Sequence, residues 1–158
     1  MILAICFFLW TTQASVQTIS KRKPFLVRSS LNLRSNPLLL LANLGNVSYP
    51  YDPQWNVYNF NKSTSIRVIL RNYFPIVHPM HLHGHHFWVL AEGVGEWDGT
   101  ITNPSNPQRR DTQLMVPGTQ DVPSYLVLEW NADNPGVWSL HCHSIVHVSA
   151  GLYINIMV

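Results

Sequence analysis

The stretch "LHCHSIVHVSAGL", Leu140 to Leu152, sets one cysteine between two histidines, with a third histidine following at position 147. The chain holds two cysteines, Cys6 and Cys142, and Cys6 lies in an apolar run at the extreme N-terminus. A disulfide framework is therefore not on offer, and Cys142 needs another role. The segment "VWSLHCH", residues 137–143, follows the turn "DNPG" and reads as a β-strand. Successive side chains on a strand point to opposite faces. Cys142 therefore faces one way, and His141 and His143 face the other.

Outward from this segment the chain reads as all-β, a sandwich or barrel in which short apolar runs alternate with turn clusters. In "TSIRVILRNYF", Ile66, Val68 and Leu70 fall on one side, with Arg67, Ile69 and Arg71 on the other. "HHFWVLAEG", "SYLVLEWNA" and "LYINIMV" read as further strands, and "SIVHVSAG" as a short helix or a loop. "GEWDGTITNPSNPQRRDTQ" reads as a loop, rich in Gly, Asn and Pro. "NPLLLLANL" is an apolar run led by Pro37, and "YPYDPQWN" is turn-rich.

At 158 residues the chain has the size of one domain around one core. Its formal net charge of +2 is too weak and too scattered to suggest a nucleic-acid partner. The cluster Lys21-Arg22-Lys23 reads as a solvated patch or a processing site. Ile2 to Trp10 is apolar but too short to span a membrane. Two readings of it stay open: a signal peptide over residues 1–14, or a strand in a domain whose start is truncated. Residues 1–36 are otherwise unassigned. Asn46-Val47-Ser48 and Asn61-Lys62-Ser63 are glycosylation sequons and would suit a secreted glycoprotein.

All eight histidines fall in two clusters. His78, His81, His83, His85 and His86 lie in "HPMHLHGHH"; His141, His143 and His147 lie in "HCHSIVH". A lone buried histidine is usually a satisfied core residue. Two dense clusters, one enclosing a cysteine, fit metal ligation better. Strand alternation puts His81, His83 and His85 on one face, with His78 just before the strand begins. Cysteine with two histidines and a weak axial position describes a blue-copper centre, and Cys142, His147 and His78 could supply it. Zinc is compatible by ligand type, but leaves the paired histidines without a role.

"HPMHLHGH" and "HCHSIVHVSAGL" resemble the two copper signatures in the last domain of multicopper oxidases, the laccase and ascorbate oxidase family. "NPQRRDT" and "DNPGVWSLHCH" also look like that domain, and more like fungal laccases than plant ones. The resemblance covers residues 37–158 and implies a C-terminal plastocyanin-like domain, a Greek-key β-sandwich or barrel of cupredoxin type. By motif position it implies that His78, Cys142 and His147 are type 1 copper ligands. It makes His81 a type 2 ligand and His83, His141 and His143 type 3 ligands. His85 and His86 have no ligand role in it and are expected to be hydrogen-bonding or surface residues. Leu152 stands at the axial position, where it cannot coordinate, which should raise the copper potential. Met157 is read as packing.

The resemblance further implies a catalytic path through Cys142, His141 and His143, from a type 1 copper oxidising phenols or aromatic amines to a three-copper cluster reducing O2. Half of that cluster's histidines belong to another domain in the family, and this chain shows no further H-x-H pairs. The remaining multicopper oxidase domains are therefore expected partners, and the chain is expected to be a fragment or truncated product. Three functions compete: a laccase-type oxidoreductase domain, a blue-copper electron carrier, and a fragment exposing an inter-domain face. Asp111 is expected to pair with Arg109 or Arg110, and Glu129 to be an exposed strand position.

Overall fold

A computed structural model describes residues 56–60 and 63–158, together with the backbone of β1 (Ile2–Phe7) and β2 (Ser15–Thr18). The end of the signal-peptide reading at 12–14, the basic cluster at 21–23, the run at 36–44 and both sequon asparagines lie outside the described residues. The other strands are β3 (Val57–Asn59), β4 (Ser65–Asn72), β5 (His78–Leu82), β6 (Phe87–Val94), β7 (Gln108–Arg110), β8 (Thr112–Met115), β9 (Ser124–Asn131), β10 (Val137–Cys142) and β11 (Tyr153–Met157). One short helix, α1 (Ile145–Ser149), sits between β10 and β11.

Two sheets form, in the orders β2-β1-β4-β9-β6-β7 and β3-β11-β10-β5-β8. Most neighbours are antiparallel, but β1 runs parallel to β4 and β3 parallel to β11. The inner faces meet over a core in which Ile66, Val68, Leu70, Leu126, Leu128 and Trp130 of the first sheet pack with Met80, Leu82, Leu140, Ile154 and Ile156 of the second. Cys142 and Leu152 belong to the same buried cluster. Alternation in β4 comes out as read from the sequence, with one addition. Ile69, on the opposite face from Ile66, is also buried, against Leu90, Ala91 and Val127. That second layer explains why β4 reads as an almost continuous apolar run.

Strand β7 and the first two residues of β8 fall inside the segment read as loop. These strands are short, β7 is polar, and each forms the edge of a different sheet. Edge strands need no apolar face on both sides, so composition does not mark them. The chain crosses between the sheets at Asp111. Its carbonyl accepts from the backbone N–H of Leu82 at 3.1 Å, fastening the crossover to the end of β5.

The expected surface chemistry needs two corrections. Glu129 is half-buried and ion-paired with Arg67 on the neighbouring strand, and it also accepts from Ser65. Neither Arg109 nor Arg110 forms an ion pair with Asp111 among the described residues. Arg109 lies over the Trp88 ring at 5.6 Å, and Arg110 donates to Gln113 at 2.9 Å. The guanidiniums engage an aromatic face and a side-chain amide, and Asp111 is exposed.

Leu128 is 0% exposed in the centre of the core and Leu114 is 48% exposed on the edge strand β8. Leu128→Ala is expected to cost about 2–5 kcal/mol. Leu114→Ala should stay within roughly 0.5 kcal/mol of the parent, both read from urea denaturation midpoints.

Candidate metal centre

Strand β5 begins at His78 itself, so His78 is part of the ladder and pairs with Met115 of β8. Its side chain follows Met80 and Leu82 into the core and is fully buried. His81, three residues on, points to the outer face. Register sets His81 opposite His141 and Met80 opposite Cys142, so alternation sorts both strands the same way. Sulfur and His78 lie inside the sheet; His81 and His141 lie outside it.

The inner group is compact. Cys142 Sγ is 3.2 Å from His147 Nδ1 and 3.8 Å from His78 Nδ1, and the two Nδ1 atoms are 3.1 Å apart. These three donor atoms all lie within 4.8 Å of one another. A set of backbone bonds holds the third member in place. His147 N–H donates to Ser144 O, Leu152 N–H donates to His147 O at 2.9 Å, and Cys142 N–H donates to Leu152 O at 3.1 Å. The short helix therefore carries His147 back over the cysteine that precedes it.

Entry of the chain into this group depends on a residue that the sequence does not single out. Asn72 is fully buried, and its amide donates to Ile76 O at 2.8 Å and Val116 O at 3.0 Å. Its Oδ1 accepts from Phe74 N–H at 2.9 Å. These bonds shape the turn leading into His78. The only sequence signal is a polar residue at the end of an apolar strand, which resembles any strand exit.

The outer group is four imidazoles on one face. His81 and His83 have ring centroids 4.8 Å apart, His81 and His143 5.6 Å, and His83 and His141 5.1 Å. Nε2 of His83 and Nε2 of His141 are 2.9 Å apart. Two of the rings are oriented by the backbone. His81 Nδ1 lies 2.8 Å from the Asp111 carbonyl, and His141 Nδ1 lies 2.8 Å from the Cys142 carbonyl. A carbonyl only accepts, so both Nδ1 atoms carry a proton, and in the neutral ring the acceptor nitrogen is then Nε2. That is the second-shell arrangement that prepares a histidine for metal. Tyr153 stacks on His141 at 5.7 Å and 22°.

His85 does not share this face. Gly84 turns the chain with φ +71°, and His85 is buried between Trp130 and Trp138. The expectation of three aligned histidines continued the strand through a glycine that ends it. His85 does hydrogen-bond, through Nδ1 to the His83 carbonyl at 3.4 Å, while its buried Nε2 has no partner. His86 is exposed.

Burial sets the electrostatics. It pushes the Cys142 thiol pKa up, so a metal must displace that proton. It lowers His83, with His81, His141 and His143 adding to the effect, and it lowers His141 against the opposing bond to the Cys142 carbonyl. Burial, then the neighbouring His147, brings His78 down to about 4. The imidazoles so shifted are neutral near pH 7 and can act as ligands. A thiol and two imidazoles converging in a largely buried pocket match the donor chemistry of a His2Cys copper site.

Residues 19–158 match the family model described as "Multicopper oxidase", and the chain belongs to that family. Its domain here is of cupredoxin type, and copper is the cofactor that membership implies. The chain is 36% identical over 131 residues to Laccase-1 of Botryotinia fuckeliana, covering 79% of this chain and 22% of that protein. It is 38% identical over 127 residues to the iron transport multicopper oxidase fio1 of Schizosaccharomyces pombe, covering 73% of this chain and 20% of that protein. The crystal structure of laccase from Botrytis aclada superposes with a TM-score of 0.69 at 26% identity, over 99% of this chain and 28% of that one. The chain thus spans less than a quarter of the length of these two curated relatives. Among the described residues no helix is long and apolar enough to cross a membrane.

The His78 shift has a stability consequence. In the unfolded chain this ring returns to 6.5, so between pH 6.5 and about 4 the unfolded state binds the extra proton. The stabilisation from neutral His78 is present above that window and is lost as pH falls through it. On the order of 3 kcal/mol is at stake. Urea midpoints of the metal-free chain are expected to fall from pH 6.5 to 4, and the slope should flatten in His78→Phe.

Proposed function

We propose that this chain is the terminal copper domain of a laccase-type multicopper oxidase. Cys142, His78 and His147 hold a type 1 copper, with Leu152 as the non-coordinating axial neighbour. His81 serves a type 2 copper, and His83, His141 and His143 serve type 3 coppers. The observation that carries this reading is the split at Cys142. Its sulfur joins two buried imidazoles, while the residues on either side of it join an imidazole face on the other side of the same sheet. Copper so held supplies one-electron redox chemistry, linking oxidation of an organic donor to reduction of dioxygen to water.

The chain's own residues supply the connection and the tuning. The Cys142 side chain and backbone join the two groups covalently through a single residue. The bond from His141 Nδ1–H to the Cys142 carbonyl, at 2.8 Å, adds a shorter link between the same two groups. His147 is only partly buried, unlike His78, and offers an edge toward solvent where a phenol or aromatic amine can approach. Leu152 keeps the pocket apolar and withholds a thioether, which favours reduced copper. The other cluster ligands come from the remaining multicopper oxidase domains, and the reading includes a secreted glycoprotein.

A second reading is a blue-copper electron carrier, favoured by one observation. The Cys142 group has its full His2Cys ligand set within the described residues, whereas the outer face offers four imidazoles to a cluster that needs more.

The copper-loaded chain is expected to show an intense band near about 600 nm that Cys142→Ser abolishes. A folded, copper-loaded sample without the band would rule out the type 1 assignment. Leu152→Met should lower the copper reduction potential, read by redox titration of the same band. One copper per chain without oxygen uptake would favour the carrier; uptake once the other domains are supplied would favour the oxidase.

A further inference from the structure

The turn after His83 is held by a closed set of contacts. Gly84 has φ +71°, and a Cβ built on it would sit 2.4 Å from two ring carbons of Trp138. The indole lies directly against the turn, so the position requires glycine for both space and conformation. Trp138 Nε1–H donates to the Asn134 carbonyl at 2.8 Å. The Asn134 amide donates to the Gly84 carbonyl at 2.9 Å, which returns to the start. His85 stands edge-on to the same indole, at 5.8 Å and 88°. On the other side of the turn, His83 N–H donates to Ser139 O at 2.9 Å.

Trp138 belongs to β10, the strand that also carries His141. The set therefore ties the turn bearing His83 to the strand bearing His141, whose Nε2 atoms are 2.9 Å apart. Apolar packing alone would require neither the Nε1 bond nor the Asn134 amide, and Trp138 is only partly buried.

We infer that Trp138 and Asn134 are positioning residues, which act through the Gly84 turn to hold the His83 ring opposite His141. This rests on the reading that the histidine face holds copper. The contacts that set the spacing of the two rings lie wholly within this chain. Loss of such outer contacts typically costs 10–100-fold in metal affinity.

The test uses the whole chain with Trp138→Leu, Trp138→Phe and Asn134→Ala. The nuclear Overhauser contact between the His83 and His141 rings is read without metal. Cu(II) affinity of the histidine face is then read by electron paramagnetic resonance, with the Cys142 band as a check on the fold. Trp138→Leu is expected to lose the ring contact and about 10–100-fold in affinity while keeping the band. Trp138→Phe, which keeps a ring against Gly84, should restore the contact and most of the affinity, and Asn134→Ala should fall between.

Unchanged contact and affinity in Trp138→Leu and Asn134→Ala would overturn the inference. So would a parallel loss of band, affinity and melting temperature in every variant, which marks a general structural role. Should Trp138→Leu fail to fold, Asn134→Ala decides, because it leaves the indole in place. A parent chain that binds no copper on this face would sink the site reading, while the ring contact would still decide the positioning role.

Discussion

The period-two geometry of a β-strand is the constraint on which everything here depends. It makes one residue, Cys142, belong to the interior while the histidines on both sides of it belong to the exterior. Strand β5 repeats the sorting with His78 and His81, and the register His141 opposite His81 aligns the two strands. Two side-chain groups of different chemistry thereby share one sheet, one on each surface. Slipping β10 by one residue would put sulfur outside and His141 in the core, and slipping β5 would exchange His78 for His81. The buried leucines and isoleucines that fix the register thus also fix which ligands meet.

Burial then gives the two groups different characters. Inside, the thiol is held protonated and His78 neutral by the low-dielectric core, which also includes Leu152. Outside, burial and the neighbouring rings hold His83 and His141 below the usual imidazole range, and backbone carbonyls orient the His81 and His141 rings. The inner group favours a soft, poorly hydrated metal ion. The outer one offers only imidazole nitrogen and leaves room for further ligands.

Much of this was legible in the sequence where a local rule governs. "VWSLHCH" and "HPMHL" follow strand alternation, so the separation of Cys142 from His141 and His143 could be read directly. The alternation of β4 was equally plain. What failed to show were features set by distant partners. His85 was read along a strand that Gly84 breaks, and only the Trp138 ring packed on that glycine makes the break compulsory. Strands β7 and β8 are edges, Glu129 finds Arg67 across a strand pair, and Asn72 closes a buried turn; composition records none of these pairings. The assignment of individual coppers came from likeness of motif, since spacing alone left zinc open.

The carbonyls of Asp111 and Cys142 carry one more implication, for how this site tolerates genetic drift. Each fixes a histidine tautomer through a main-chain oxygen, which every amino acid possesses. Substituting the Asp111 side chain leaves that oxygen, and hence the proton on His81, where it was. The orientation of the His81 ring is therefore insulated from point changes at the crossover and exposed instead to insertions or deletions there. A lineage carrying this domain is free to vary the identity of residue 111, but its spacing from Thr112 and Leu82 is held.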